Sequence, residues 1–291
     1  MRFAAIFVFA LTLLGATPTT PSVAGSVHVD QYGTGSSTLV LIPGLTDSGA
    51  VWGTTVAHYQ ATHTIYVLTL PGFGGRPRIA APMLDTVDRD IAAFLPRANK
   101  PVLIGHSLGG FLATRLAEEH SDLIRGVISI DGLPVFPGLD KMAAQQRAAL
   151  ATMSSSRIAA ATPAEFANAQ QRQLAVMTKP QNVAAAQRFS AGADQSATAT
   201  YLGEMLSADL RPNLAKITVP FTLIGPFDAS IDPKNPYNPL VTLTAKQAYY
   251  QSLVAGDPAA KVVIVDDSRH FVMLDQPEKL FAAVDTFLAS L

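Results

Sequence analysis

Short unbroken apolar runs alternate along this chain with longer stretches in which apolar residues recur every three or four positions. The runs Val27–Tyr32, Thr38–Ile42, His63–Leu70, Val102–Ile104, Gly126–Ile130, Val219–Gly225 and Lys261–Val265 read as strands. Most are apolar on both faces, as strands buried in a parallel sheet are. Helical spacing occupies Val51–Tyr59, Asp85–Pro96, Phe111–Ala117, Thr244–Ala255 and Pro277–Leu288. This rhythm predicts an α/β fold, a doubly wound and mostly parallel sheet of about eight strands. From Leu133 to Lys216 the rhythm breaks. That segment is rich in Ala, Gln, Ser and Met at helical spacing, with no run that reads as a strand. It predicts a helical lid (133–216) inserted between strands 6 and 7 of a core made of 25–132 and 217–291.

The first residues follow a different pattern. Met1-Arg2 precedes the apolar stretch Phe3 to Leu14, and small residues follow at Leu14-Gly15-Ala16 and again at Ser22-Val23-Ala24. A basic start, an apolar run too short to span a bilayer and a small-residue site are the features of an export signal. The boundary is placed at 1–24, with secretion or release to the periplasm as the expected location and no stable membrane association once the leader is removed.

Composition narrows the partners. The 291 residues carry 21 Lys and Arg against 22 Asp and Glu, a formal net charge of −1, with no basic run. Nothing here could hold nucleic acid electrostatically. Cys is absent, so there is neither a disulfide framework nor a thiolate metal site.

The chemistry centres on Gly105-His106-Ser107-Leu108-Gly109, which joins the strand Val102–Ile104 to the helix that starts near Phe111. A strand that must become a helix within about three residues forces its apex into a strained conformation. Side chains two before and two after the apex would collide with strand and helix. Gly105 and Gly109 answer that demand and leave Ser107 at the apex, the arrangement of a nucleophile elbow. A serine hydroxyl needs a base, and the base needs a carboxylate behind it. His270 lies in a loop just past the last strand, where it can reach over the sheet's C-terminal edge. His28 and His63 lie on strands, His58 and His120 near helix ends, and His106 points to the other side of the elbow as packing support. Asp228, three residues past Gly225, completes the chain order Ser107, Asp228, His270. Asp131, at the end of the preceding strand, and Asp232, one loop further, are the rival carboxylates.

These motifs resemble those of the α/β-hydrolase fold superfamily, in its lidded group of esterases, proline iminopeptidases and haloperoxidase-like enzymes. The resemblance rests on Leu41-Ile42-Pro43-Gly44-Leu45 with Trp52, Leu70-Pro71-Gly72-Phe73-Gly74, the elbow, Gly225-Pro226-Phe227-Asp228, and Ser268-Arg269-His270-Phe271 before Gln276-Pro277-Glu278. It runs from about residue 26 to the end and is weakest in the lid. It implies an oxyanion hole made by the backbone N–H groups of Leu45 and Leu108, and a reaction that uses no metal and no organic cofactor. Pro43 and Thr69 stand where the superfamily often has His and Asp. A Ser at the apex argues against the Asp-based chemistry of haloalkane dehalogenases and epoxide hydrolases. The expected substrate is a small or medium apolar ester, in a pocket lined by Trp52, Phe73, Leu133, Phe136, Phe227 and Met273. Amide or lactone hydrolysis is the alternative, and a slow ligand-binding member of the fold a more distant one.

Overall fold

The structure is a computed structural model describing residues 18, 20–234 and 240–291. The apolar stretch of the expected leader, Phe3 to Leu14, lies outside the described residues, as do residues 235–239. The strands are β1 (Thr20–Ala24), β2 (Val27–Tyr32), β3 (Ser37–Ile42), β4 (His63–Thr69), β5 (Val102–His106), β6 (Gly126–Ile130), β7 (Phe221–Phe227) and β8 (Lys261–Asp266). They form one eight-stranded sheet in the order β1-β2-β4-β3-β5-β6-β7-β8. β1 and β2 pair antiparallel, as do β2 and β4, and every later pairing is parallel. This is the doubly wound sheet that the alternating pattern predicts.

The helices are α1 (Gly53–Tyr59), α2 (Met83–Phe94), α3 (Leu108–His120), α4 (Ala144–Ala160), α5 (Pro163–Met177), α6 (Val183–Phe189), α7 (Gln195–Ser207), α8 (Leu243–Leu253), α9 (Val272–Asp275) and α10 (Pro277–Leu288). One apolar layer joins α2, α3 and α8 to one face of the sheet through Leu84, Val87, Ile91, Phe111, Leu112, Leu116 and Leu253. The other joins α1 and α10 to the opposite face through Val56, Tyr59, Leu280, Phe281 and Val284. Among the described residues, no helix is long and apolar enough to cross a membrane.

One segment at the edge of the expected leader takes part in this sheet. The segment Thr20–Ala24, assigned from the sequence to the end of the leader, is strand β1, with Val23 opposite His28 and Ala24 opposite Val27. Ala24 is buried in the first apolar layer. The physical reason is that β2 would otherwise present an unpaired row of backbone N–H and C=O groups, which a neighbouring segment can satisfy at little cost.

Helices α4 to α7 lie between β6 and β7 and are tied to the core at several points. Tyr201 and Ala197 of α7 join the first layer, and the Tyr201 ring sits 5.4 Å from that of Phe73. The Glu204 carboxylate accepts from the backbone N–H groups of Met83 and Leu84 at 2.9 and 2.6 Å, and so caps α2 with a charge that its N-terminus favours. Ser48 N–H donates to the Phe189 carbonyl at 2.9 Å, and Asp194 N–H donates to the Gly72 carbonyl at 2.7 Å. The Asp275 carboxylate accepts from Thr178 Oγ1 and from Asn182 Nδ2.

Candidate active site

Strand β5 ends at His106, and α3 begins at Leu108, so Ser107 alone makes the turn. Its backbone, at φ 53° and ψ −118°, is one that L-residues seldom adopt. Hydrogen bonds on both sides hold it there. Ser107 N–H donates to the Ile130 carbonyl, and the Ser107 carbonyl accepts from Phe111 N–H, both at 2.9 Å. A Cβ on Gly105 would run into the Gly109 carbonyl, and one on Gly109 into the Ile42 carbonyl. The two glycines are therefore what let the helix start this close to the strand. Leu108 is the first residue of α3, and Leu45 lies in the loop after β3, the strand whose end touches Gly109.

The register of the neighbouring strand decides which carboxylate comes near. β5 and β6 pair with His106 opposite Ile130, so Ser107 and Asp131 leave adjacent strands side by side. Asp131 also turns sharply, at φ 49°. His270 reaches in from beyond β8, and its Nδ1 lies 2.6 Å from Asp131 Oδ2. A carboxylate only accepts, so Nδ1 carries the hydrogen and Nε2 keeps a lone pair that can take a proton. The His270 ring lies 4.6 Å from that of His106, the residue before Ser107. His106 is itself buried, and its Nε2 donates to the His270 carbonyl at 3.1 Å.

Asp228, assigned from chain order as the partner of His270, is placed elsewhere. Its Oδ1 accepts from Ser230 N and Ser230 Oγ at 2.8 and 2.6 Å, and its Oδ2 accepts from Arg269 Nε at 2.8 Å. Burial pushes its carboxyl up, but the Arg269 and Ser230 bonds outweigh that and bring it down to about 2. The physical reason is competition. Arg269 stands next to His270 in the chain and offers Asp228 a permanent cation, so the imidazole is left to the carboxylate at the end of β6. Asp232 is also engaged, with Lys246 Nζ at 2.5 Å. The sequence places Arg269 beside His270, but nothing local in it assigns that cation to one acid or the other.

The six residues expected to line a pocket lie in different surroundings. Trp52 and Met273 are fully buried in the second apolar layer, Phe73 packs under Tyr201, and Leu133 joins the first layer. Phe227 is buried at the end of β7, while Phe136 is exposed. A cavity of about 400 Å³ opens between α5 and the segment after α6, lined by Phe166, Asn168, Gln170, Gln171, Gln187 and Ser190 among others. None of the six lines it. Ser190 links this cavity to the loop of Leu45, because its Oγ donates to Asp47 Oδ1 at 2.9 Å.

A sequence profile described as the Alpha/beta hydrolase family matches residues 39–284. Two curated relatives, both named pimeloyl-[acyl-carrier protein] methyl ester esterase, come from Vibrio atlanticus and Aeromonas hydrophila. The first is 34% identical over 98 residues, 34% of this chain and 37% of the relative. The second is 34% identical over 119 residues, 40% of this chain and 45% of the relative. The chain thus spans less than half the length of the curated relatives it matches. Among solved structures, a hydrolase from Pseudomonas aeruginosa PA01 superposes with a TM-score of 0.75 at 16% identity, over 93% of this chain and 98% of that one. At that identity, the likeness concerns the fold.

Proposed function

The chain belongs to the alpha/beta hydrolase family, and from that premise we propose that it is a serine hydrolase of carboxylic esters working through an acyl-enzyme. The observation that carries the proposal is the His270 Nδ1 to Asp131 Oδ2 bond of 2.6 Å, made beside the elbow that holds Ser107. In this reading, His270 Nε2 takes the Ser107 proton while Oγ attacks the acyl carbon and the carbonyl electron pair moves to oxygen. The N–H groups of Leu45 and Leu108 hold that oxyanion, at about 3 kcal/mol for each donor. The imidazolium then protonates the leaving alkoxide as its bond to the acyl carbon breaks. Water, deprotonated by the same ring, releases the acid and restores Ser107. Asp131, and not Asp228, holds the tautomer this sequence of steps needs. The relatives named as methyl ester esterases favour an ester over an amide or lactone. The test is labelling with a fluorophosphonate, together with turnover of short p-nitrophenyl esters, aminoacyl-anilides and lactones. One equivalent of label is expected on the wild-type chain and none on Ser107→Ala, with esters turned over fastest. Labelling that survives Ser107→Ala overturns the reading.

Export belongs to the same proposal, with one change. Cleavage after Ala24 would remove β1 and expose β2, whereas cleavage after Ala16 keeps the sheet whole. The exported protein is expected to begin near Thr17. An N-terminus found at Gly25 by mass spectrometry would contradict this.

A further inference from the structure

The best-connected group around Asp131 takes no part in the steps above. Tyr250, on α8, is buried, and its hydroxyl donates to Asp131 Oδ1 while His270 Nδ1 donates to Oδ2. We propose that Tyr250 is a positioning residue of this site, whose hydroxyl orients the Asp131 carboxylate toward His270 and shares its charge. The inference deepens the hydrolase reading and rests on it.

Four features of the geometry carry it. With one donor on each oxygen, the carboxylate cannot swing without breaking both bonds, so the His270 ring inherits an orientation set from α8. The ring of Tyr250 reaches Asp131 past Gly225 of β7, where any Cβ would collide with it. Lys246, four residues earlier on α8, places Nζ 5.4 Å from the centroid of the Tyr250 ring and pairs with Asp232 Oδ1 at 2.5 Å. Asp232 Oδ2 accepts from the Asp228 backbone N–H at 2.7 Å, which fastens α8 to the end of β7.

The electrostatics agree with this placement. Burial and the charge of Asp131 hold the Tyr250 hydroxyl well above its ordinary value, so it stays a donor at any working pH. Burial raises the Asp131 carboxyl, yet the His270 bond, the nearness of Lys246 and the Tyr250 bond outweigh it and leave it below its ordinary value. Among the described residues, the other titratable or charged groups facing this cluster are His106 on β5, Asp47 in the loop after β3, Asp232 after β7, and Tyr249 on α8.

Tyr250→Phe removes the hydroxyl and keeps the ring. With the carboxylate no longer shared, its charge pulls harder on the imidazolium proton. The acid-side midpoint of the pH–rate profile is then expected to rise by roughly half a unit. kcat for a short p-nitrophenyl ester should fall about tenfold with KM little changed, the loss of one hydrogen bond to a charged group. Tyr250→3-fluorotyrosine, a stronger donor of nearly the same shape, should move the midpoint down. A tyrosine that only packs would lower stability and move neither midpoint, and unchanged midpoints in both variants overturn the proposal. Failure of the hydrolase reading shows separately, as a wild-type chain that neither takes the fluorophosphonate nor turns over ester. In that case the His270 Nδ1 proton resonance, observed by NMR without turnover, still decides the matter. It shifts in Tyr250→Phe if the hydroxyl acts on Asp131, and its constancy refutes the coupling.

Discussion

Asp131→Asn is expected to lower kcat for a short p-nitrophenyl ester by about four orders of magnitude, the scale typical of an amide in place of a triad carboxylate. Asp228→Asn is expected to change kcat less than about tenfold, the effect of weakening one charge-assisted bond. The contrast follows from the two environments. At Asp131, the amide has one oxygen for two donors, His270 Nδ1 and the Tyr250 hydroxyl. Where its nitrogen faces the ring, the imidazole must carry its hydrogen on Nε2 and can no longer accept from serine. At Asp228, the amide oxygen still takes a bond from Arg269 or Ser230, and the ring two residues from Ser268 is not a partner. Steady-state kinetics on the two variants, side by side, give the answer. A large loss at Asp228 with little at Asp131 would return the acid to the end of β7 and contradict the assignment made here.

The second large effect concerns stability and pH, and it lies behind the elbow. Asp47 and His106 are each 1% exposed, and Asp47 Oδ2 stands 3.8 Å from His106 Nδ1. Among the described residues, neither of those two atoms has a hydrogen-bond partner. Because His106 Nε2 donates to the His270 carbonyl, Nδ1 is a lone pair, and a proton on Asp47 Oδ2 would face it. Burial pushes the Asp47 carboxyl up to about 7, against the bond from Ser190 and the field of His270. Burial also pushes His106 down to about 3. The pair is thus neutral in the folded protein, where the unfolded chain between about pH 4 and 6.5 has a carboxylate and an imidazolium. Both states hold one proton, so the pair adds little to the pH dependence of wild-type stability in that window.

Single substitutions uncover the two halves. An acid whose folded value is raised weakens the fold as pH climbs above its unfolded value, because the unfolded state gives up its proton first. A histidine whose folded value is lowered weakens the fold as pH falls below its unfolded value, because the unfolded state takes a proton that the folded state refuses. Asp47→Asn is therefore expected to gain stability over wild type as pH rises from about 4 to 7. His106→Gln is expected to gain over wild type as pH falls from about 6.5 to 3. Displacements of this size set an upper scale of a few kcal/mol on each change. Urea midpoints at pH 5 and 8 for the three proteins, at constant m, measure both. Difference curves with the same sign, or flat ones, would mean that the two groups do not share a neutral state. Burial also raises Asp88 and Glu118, to about 6 and about 7, which adds the same slope to all three proteins and cancels in the comparison.

The pH behaviour of this pair could not have been read from the chain, and the reason separates what is local from what is not. The alternation of apolar runs and helical spacing is a property of short windows, and it sufficed for the class of fold. The elbow is equally local, since the collision that demands Gly105 and Gly109 involves residues within one turn of Ser107. For the same reason, Ser107 and His270 stand out from sequence alone, the one at a strained apex and the other just past a final strand. The pairing of His270 with Asp131 spans 139 residues, and that of Tyr250 with Asp131 spans 119. Such contacts depend on strand register and on which way a side chain turns, and Asp131 and Asp228 both end strands at the same edge of the sheet. Only the packed molecule shows that Arg269 takes one carboxylate and leaves the other to the ring. It likewise places Thr20–Ala24 on the sheet and sends Trp52 and Met273 into the interior, because burial is settled by what covers a residue and not by the residue itself.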